Sequence, residues 1–363
     1  MKNLALTMLA IVAAIVLYFI AWPVPIDPVA WDAPPDRGLT GVFDRNSQLS
    51  NSRNVDLGDH DGPEDVALGL DGFLYATTHG GDVLRISPTG RTIEVFAHTG
   101  GRPLGIDVDS DGSLLVANAH VGVQRISMAG DVSDVLTEVG GDALIYADDV
   151  AVARDGSIYV SDASTKFSPV QYGGTLEASL LDLIEHGANG RIVAYDPDTD
   201  SARVIMNGLN FANGVAVSDD QRYLLIAETG SYRIHRYWLQ GPQAGNSEVI
   251  VDNLPGFPDN INNGLNGRFW IGLVAPRKAL LDDTSNSPFI RRMLLRVPKF
   301  MQPKPELSSH VFAIDGDGEV LMNLQDPTAR HPMMTGVLET RTTLFLTTLI
   351  GNKLAYVVKE DLL

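Results

Sequence analysis

Pro63-Glu-Asp-Val-Ala-Leu-Gly-Leu-Asp-Gly-Phe-Leu-Tyr75, followed by Val83-Leu-Arg-Ile-Ser-Pro-Thr-Gly90, is answered 40 residues later by Pro103-Leu-Gly-Ile-Asp-Val-Asp-Ser-Asp-Gly-Ser-Leu-Leu115 and Val123-Gln-Arg-Ile-Ser-Met-Ala-Gly130. Pro, Asp-Gly, Arg-Ile-Ser and Gly all keep register. Alternating apolar strands separated by Asp-Gly turns at such a period describe a propeller blade; the units of a helical solenoid would show a 3.6-residue period instead. Further hairpins open at Asp155-Gly-Ser-Ile-Tyr-Val160, Gln221-Arg-Tyr-Leu-Leu-Ile226, Gly267-Arg-Phe-Trp-Ile271 and Thr342-Thr-Leu-Phe-Leu-Thr347. The count predicts an all-β, six-bladed β-propeller over residues 48–363. Because open sheet edges are a liability, the segment from Gln48 to Leu57 is expected to pair with the last blade and close the ring.

Composition agrees with many short strands. The 363 residues include 35 Gly and 20 Pro spread along the chain, and 44% hydrophobic content is ample for a core. A formal net charge of -18 argues against nucleic acid or an anionic surface as partner. The absence of cysteine removes disulfides, thiol chemistry and Cys-based zinc sites. At the start, Leu4 to Trp22 runs 19 residues without a charge, close to the roughly 20 that cross a bilayer as a helix. No small-x-small cleavage site precedes Pro23, so residues 1–22 read as an uncleaved transmembrane anchor. Lys2 before the span places the propeller on the extracytoplasmic side. Residues 23–47 then form a lead-in whose Pro-rich part, Pro23 to Pro35, reads as a stiff stalk, or else as an irregular first wrap around the domain.

Laying the repeats over one another brings out the chemistry. Gly62-Pro-Glu-Asp-Val66, Tyr146-Ala-Asp-Asp-Val150, Phe211-Ala-Asn-Gly-Val215 and Phe257-Pro-Asp-Asn-Ile261 each put an oxygen-bearing side chain two residues before an aliphatic strand opener. These are Glu64, Asp148, Asn213 and Asp259. Equivalent positions in a ring lie at equal distance from its axis, so four hard oxygen ligands converge, as a calcium site requires. Singly, each has an ordinary explanation: a turn cap, an Asn-Gly turn, a bond to a nearby amide. Their shared phase favours a cation, calcium or another divalent ion, because a bare carboxylate cluster would repel itself. The eight histidines form no zinc-type pair, and His79 and His120 read as rim or turn residues. Two insertions interrupt the period. Residues 164–190 hold the helical pattern Leu176 to His186 with Gly187 as its stop, and residues 277–309 hold the apolar but basic run Phe289 to Phe300. A regular wind sets both on the side of the converging ligands, where they roof the site.

Gly62-Pro-Glu64, Gly101-Arg-Pro-Leu-Gly-Ile106, Phe211-Ala-Asn-Gly-Val215, Ala227-Glu-Thr229, Leu254-Pro-Gly-Phe-Pro-Asp-Asn-Ile261 and Val337-Leu-Glu-Thr340 carry a family likeness. From about Asn54 to the C-terminus the chain resembles the strictosidine synthase-like branch of six-bladed propellers. The wider superfamily, with its paraoxonases, gluconolactonases and a phosphotriesterase, shares a divalent metal, usually calcium, in the central tunnel. The resemblance therefore implies Glu64, Asp148, Asn213 and Asp259 as metal ligands, with Asn260 beside them. Two positions depart from the pattern: Asp148 stands where relatives generally have Asn, and Leu104 where paraoxonases carry a histidine. In the plant synthase no metal is used and a glutamate in the last blade is the acid-base group; Glu339 matches it here.

The expected activity is calcium-dependent hydrolysis of a small-molecule ester or lactone. The ion would act as Lewis acid on the carbonyl, and Asp148 or Glu339 would take the proton. Two alternatives stand beside it: a metal-free carbon-nitrogen condensing enzyme acting through Glu339, and a non-catalytic binding propeller. Beyond the small molecule, the expected partner is the membrane, met through the N-terminal helix.

Overall fold

The structure, a computed structural model, describes residues 2–302 and 304–362. Six four-stranded antiparallel sheets form the blades. Their innermost strands are Val66–Leu68, Pro103–Val108, Ala147–Val152, Ala212–Val217, Gly256–Asn263 and Met334–Glu339. Each packs beside the next, and the sixth returns to the first. As the repeat predicts, the chain's own start closes the ring: Arg53–Asp56 is the outer strand of blade 6, with Val55 opposite Leu354. One further hairpin, Glu138–Val139 with Asp142–Ala143, stands outside the blades.

The repeated residues have physical work to do. Gly72, Gly112 and Gly156 adopt φ of 81, 85 and 87° at the Asp-Gly turns, a region closed to most side chains. The recurring arginine ties each hairpin back to its turn: Arg85 reaches Asp71 at 2.8 Å and Arg125 reaches Asp109 at 2.7 Å. Apolar residues from facing sheets fill the gaps between blades, as Val55, Leu74, Ile86, Phe345 and Leu354 do between blades 6 and 1. Truncating a leucine in such a layer to alanine costs roughly 2–5 kcal/mol.

A ring of short polar side chains fastens the inner strands to one another. Asp65 accepts from its own blade's Val66 N–H at 2.8 Å and from Ile106 of the next blade at 3.0 Å. Asp149 does the same for Val150 and Val215, both at 2.8 Å. Asn262 of blade 5 accepts from Val337 of blade 6 at 2.9 Å and donates to Asp65 of blade 1 at 2.9 Å. Two of these fasteners face a residue without a side chain across the blade gap. A Cβ on Gly105 would collide with Asp149, and one on Gly336 with Asn262.

Five helices lie outside the blades: α1 (Lys2–Ala21), α2 (Pro169–Tyr172), α3 (Thr175–Glu185), α4 (Ala279–Asp283) and α5 (Pro288–Arg296). α1 is 20 residues with a mean hydropathy of 2.7, long and apolar enough to cross a membrane. α3 ends at Glu185, one residue earlier than the pattern suggests, because His186 itself takes the left-handed cap with φ 54°. Its ring stacks on Trp31 at 4.0 Å. That contact belongs to a larger correction: Pro23 to Pro35 is no free stalk. Ile26 is 4% exposed and packed against Tyr146 and Phe211. The backbone N–H groups of Asp27, Val29 and Trp31 donate to Glu185 Oε2, Glu185 O and Ser285 O. The segment wraps across both insertions and pins them to the propeller.

Candidate functional site

Local irregularity aims the converging side chains. In blades 2 to 6 the ladder between the first two strands slips just ahead of the aliphatic opener, between Pro103 and Ile106, Ala147 and Val150, Ala212 and Val215, Pro258 and Ile261, and Met334 and Val337. A bulge of this kind re-aims a side chain without ending the sheet. The first residue of each slip takes the position that Glu64 occupies in blade 1. Around the ring these positions read Glu64, Leu104, Asp148, Asn213, Asp259 and Thr335. The first five line one cavity of about 550 Å³. Thr335 lies behind it, donating to Glu64 O at 2.5 Å, with its Oγ1 also hydrogen-bonded to the Thr347 hydroxyl at 2.8 Å. Asn260, next to Asp259, is fully buried and donates to Glu64 Oε1 at 3.2 Å.

Electrostatically the cluster is unfinished. Burial pushes the Glu64 carboxyl well above its usual range, and the neighbouring charges of Asp259, Asp65 and Asp148 add to the rise. Burial and then Asp259 do the same to Asp148. Asp259 is pushed up by burial to about 7, against the pull of the Asn213 amide. Among the described residues three buried acceptors of this cluster have no hydrogen-bond donor: Glu64 Oε2, Asn213 Oδ1 and Asn260 Oδ1. Buried oxygens without partners are rare and costly, and a hard cation is what such a donor set lacks. Among the described residues no three His, Cys, Asp or Glu side chains form a metal group by themselves. The converging set mixes carboxylates with amides, and it fits a divalent ion through its oxygens.

Sequence reasoning passed over one member of the site. Arg102 is 3% exposed and lines the same cavity. Its guanidinium makes one long bond, to Pro103 O at 3.5 Å, while its Nε has no partner among the described residues. Burial lowers its pKa, and Glu64, Tyr146, Asp61 and Asp148 pull it back. The charge of Asp148 is thus opposed by a cation four residues before Ile106. No spacing rule signals this, because Arg102 stands just before the inner strand, outside the phase that the repeated oxygens share. His79 also lines the cavity, and burial, then Arg102, lowers its pKa; His120 is not among the lining residues.

The structure places Glu339 elsewhere. It is the last residue of its inner strand, away from the residues that line the cavity. Trp270 Nε1 donates to its Oε2 at 2.8 Å and the Leu265 N–H at 3.0 Å, Arg268 stands 3.6 Å from Oε2, and Lys359 pairs with Oε1. Burial alone would raise its pKa, but donation from Lys359, Trp270 and Leu265 holds it below the usual range. Raised acidity and distance both remove it from proton transfer in the cavity, which corrects the expectation for this residue. Asp65, raised to about 7, and Asp149 are likewise pushed up by burial, and both are spent on the blade fasteners.

Both insertions roof the cavity, as the wind predicts: Leu176 and Leu180 of α3 and Leu294 and Leu295 of α5 line it. Family models described as strictosidine synthase and strictosidine synthase-like, N-terminal, match residues 148–242 and 41–86. The chain is 30% identical over 339 residues to adipocyte plasma membrane-associated protein of Salmo salar, covering 86% of this chain and 78% of that one. It is 32% identical over 296 residues to the Arabidopsis thaliana protein strictosidine synthase-like 6, covering 80% and 77%. A gluconolactonase from Xanthomonas campestris shares the fold at TM-score 0.61 and 19% identity, covering 92% of this chain and 98% of that one. A calcium-binding regucalcin from Agrobacterium tumefaciens does so at 0.57 and 13%, covering 85% and 94%.

Proposed function

The chain belongs to the strictosidine synthase-like family, and on that premise we propose that it is a membrane-anchored hydrolase of esters or lactones that depends on a divalent cation, calcium first. The observation that carries this reading is the set of unpartnered oxygens on Glu64, Asn213 and Asn260 beside Asp148 and Asp259. Those five residues would hold the ion, which when bound supplies a Lewis acid for the carbonyl oxygen. The names of the gluconolactonase and the calcium-binding regucalcin that share the fold agree with this choice.

The chain's own residues supply the rest. Arg102 is a nearly unbonded buried cation at the wall of the cavity. Donors held ready for developing negative charge are the costliest groups for an acyl-transfer site to lose, and Arg102 is placed to be one. With Glu339 engaged elsewhere, Asp148 is the carboxylate in the cavity to receive the proton from attacking water. The lid leucines exclude bulk water, which strengthens each of these interactions. α1 is the membrane anchor, in keeping with the name of the plasma membrane-associated relative, and we place the propeller on the extracytoplasmic side. The test is turnover of a panel of aryl esters and lactones by the full chain, with and without chelator. Turnover that chelation abolishes and calcium restores supports the reading; a panel left untouched, or hydrolysed equally with chelator present, overturns it.

A further inference from the structure

The cavity has two unlike ends. Its floor is polar, with Glu64, Arg102, Asp148 and Asp259, whereas its roof is the lid leucines together with Tyr18 and Trp22 from the last turn of the anchor. The anchor is fixed there. Arg296 of α5 donates to Phe19 O at 2.6 Å and to Trp22 O at 2.7 Å, and Tyr18 Oη donates back to Arg296 O at 3.0 Å. A guanidinium satisfying the final carbonyls of a helix is a stable C-terminal arrangement. No residue of α1 is buried by the protein, and with α1 as the proposed anchor its end sets the mouth of the cavity at the bilayer boundary. Around that mouth the lid exposes Phe289, Phe300, Met301 and Leu307, the second of these at 81%. Lys299 and Lys304 stand among them as cations in a chain of net charge -18. Aliphatic groups interleaved with basic side chains suit a headgroup layer.

We infer that the substrate is a long-chain amphiphile taken from the bilayer. Its hydrocarbon chain lies among the lid leucines and the aromatic end of the anchor, and its ester or lactone oxygens reach Arg102 and the acidic cluster. This rests on the hydrolase reading and names its substrate class. The leucine-lined part of the cavity suits a hydrocarbon chain better than the hydroxyls of a sugar lactone, which lose water there. The volume, about 550 Å³, lies within the roughly 300–1,000 Å³ of small-molecule sites.

The experiment uses the full chain in phosphatidylcholine vesicles and a series of p-nitrophenyl esters from acetate to laurate. Binding of a fluorescent long-chain fatty acid is measured separately. Catalytic efficiency is expected to climb with chain length, by up to roughly fourfold per methylene buried. Leu180→Glu, on the half-buried face of α3, should cost the laurate at least about tenfold more than the acetate and weaken binding of the fatty acid. Trp22→Ala, outside the propeller and therefore safe for its folding, should lower the laurate preference in the same direction. A flat chain-length profile with chelator-sensitive acetate turnover overturns this inference and leaves the hydrolase standing. Fatty-acid binding that Leu180→Glu weakens, with no ester or lactone turned over, overturns the hydrolase and keeps the amphiphile site.

Discussion

Two buried glutamates, both belonging to inner-strand segments, show how little burial alone says about function. Glu64 is 1% exposed and Glu339 is 5% exposed. Glu339 is surrounded by donors, from Lys359, Trp270 and the Leu265 backbone, and its pKa falls in spite of burial. Glu64 is surrounded by other acids, keeps an oxygen with no donor among the described residues, and its pKa rises. One is a finished ion-pair network that fastens blade 6 to blade 5. The other is a site that needs something added.

The largest expected effect lies at the unfinished end. Asp259→Ala removes a ligand charge and the partner of the Asn213 amide, so calcium binding and ester turnover should both fall to background, and the stabilisation that calcium gives the parent should disappear. Retained calcium affinity in that variant would break the contrast, because the acidic cluster would then have another purpose.

The sequence made the fold and most of the cluster legible for one reason: both depend on local repeats. Asp-Gly turns mark the hairpins of the first three blades and Arg-Ile-Ser strands those of the first two, and an oxygen two residues before an aliphatic opener marks the converging positions. What stayed hidden depends on direction and distance. Glu339 stands two residues after Val337, whereas the cluster's phase stands two before its opener. Four residues of strand amount to roughly 13 Å along the tunnel, enough to move the side chain out of the cavity. Arg102 looked like part of a motif with no role of its own because it stands just before the inner strand, outside the phase of the repeated oxygens. The Pro-rich lead-in suggested a stalk, since nothing local reveals that Ile26 and Trp31 find partners in the insertions.

A smaller effect is expected at the finished end. Glu339→Gln should leave catalytic efficiency within about twofold and cost roughly 1–3 kcal/mol of stability, because Lys359 and Arg268 lose their counter-charge. The sign of its pH dependence follows from the depressed pKa. A carboxyl held below its unfolded value contributes stability above that value, about 4.5, and loses it as pH falls further. The difference in melting temperature between parent and variant should therefore be full at neutral pH and shrink below about pH 4.5. A difference that grows in acid, or a variant that folds normally without turnover, would return Glu339 to the chemistry.

Asp148→Asn probes the carboxylate proposed both to hold the ion and to take the proton. Calcium affinity should weaken without being lost, since the amide keeps an oxygen while the ligand charge drops by one. Turnover should fall further than affinity, because Asp148 also receives the proton. Unchanged affinity and unchanged turnover together would mean that this side chain serves neither purpose.

The most direct measurement of the central claim is a calcium titration of the full chain after chelation, followed by calorimetry with the melting temperature recorded at each step. The unpartnered oxygens of Glu64, Asn213 and Asn260 predict saturable binding of one ion in the tunnel and a melting temperature that climbs with the logarithm of free calcium beyond its dissociation constant. No heat of binding and a melting temperature indifferent to calcium and other divalent ions would contradict it.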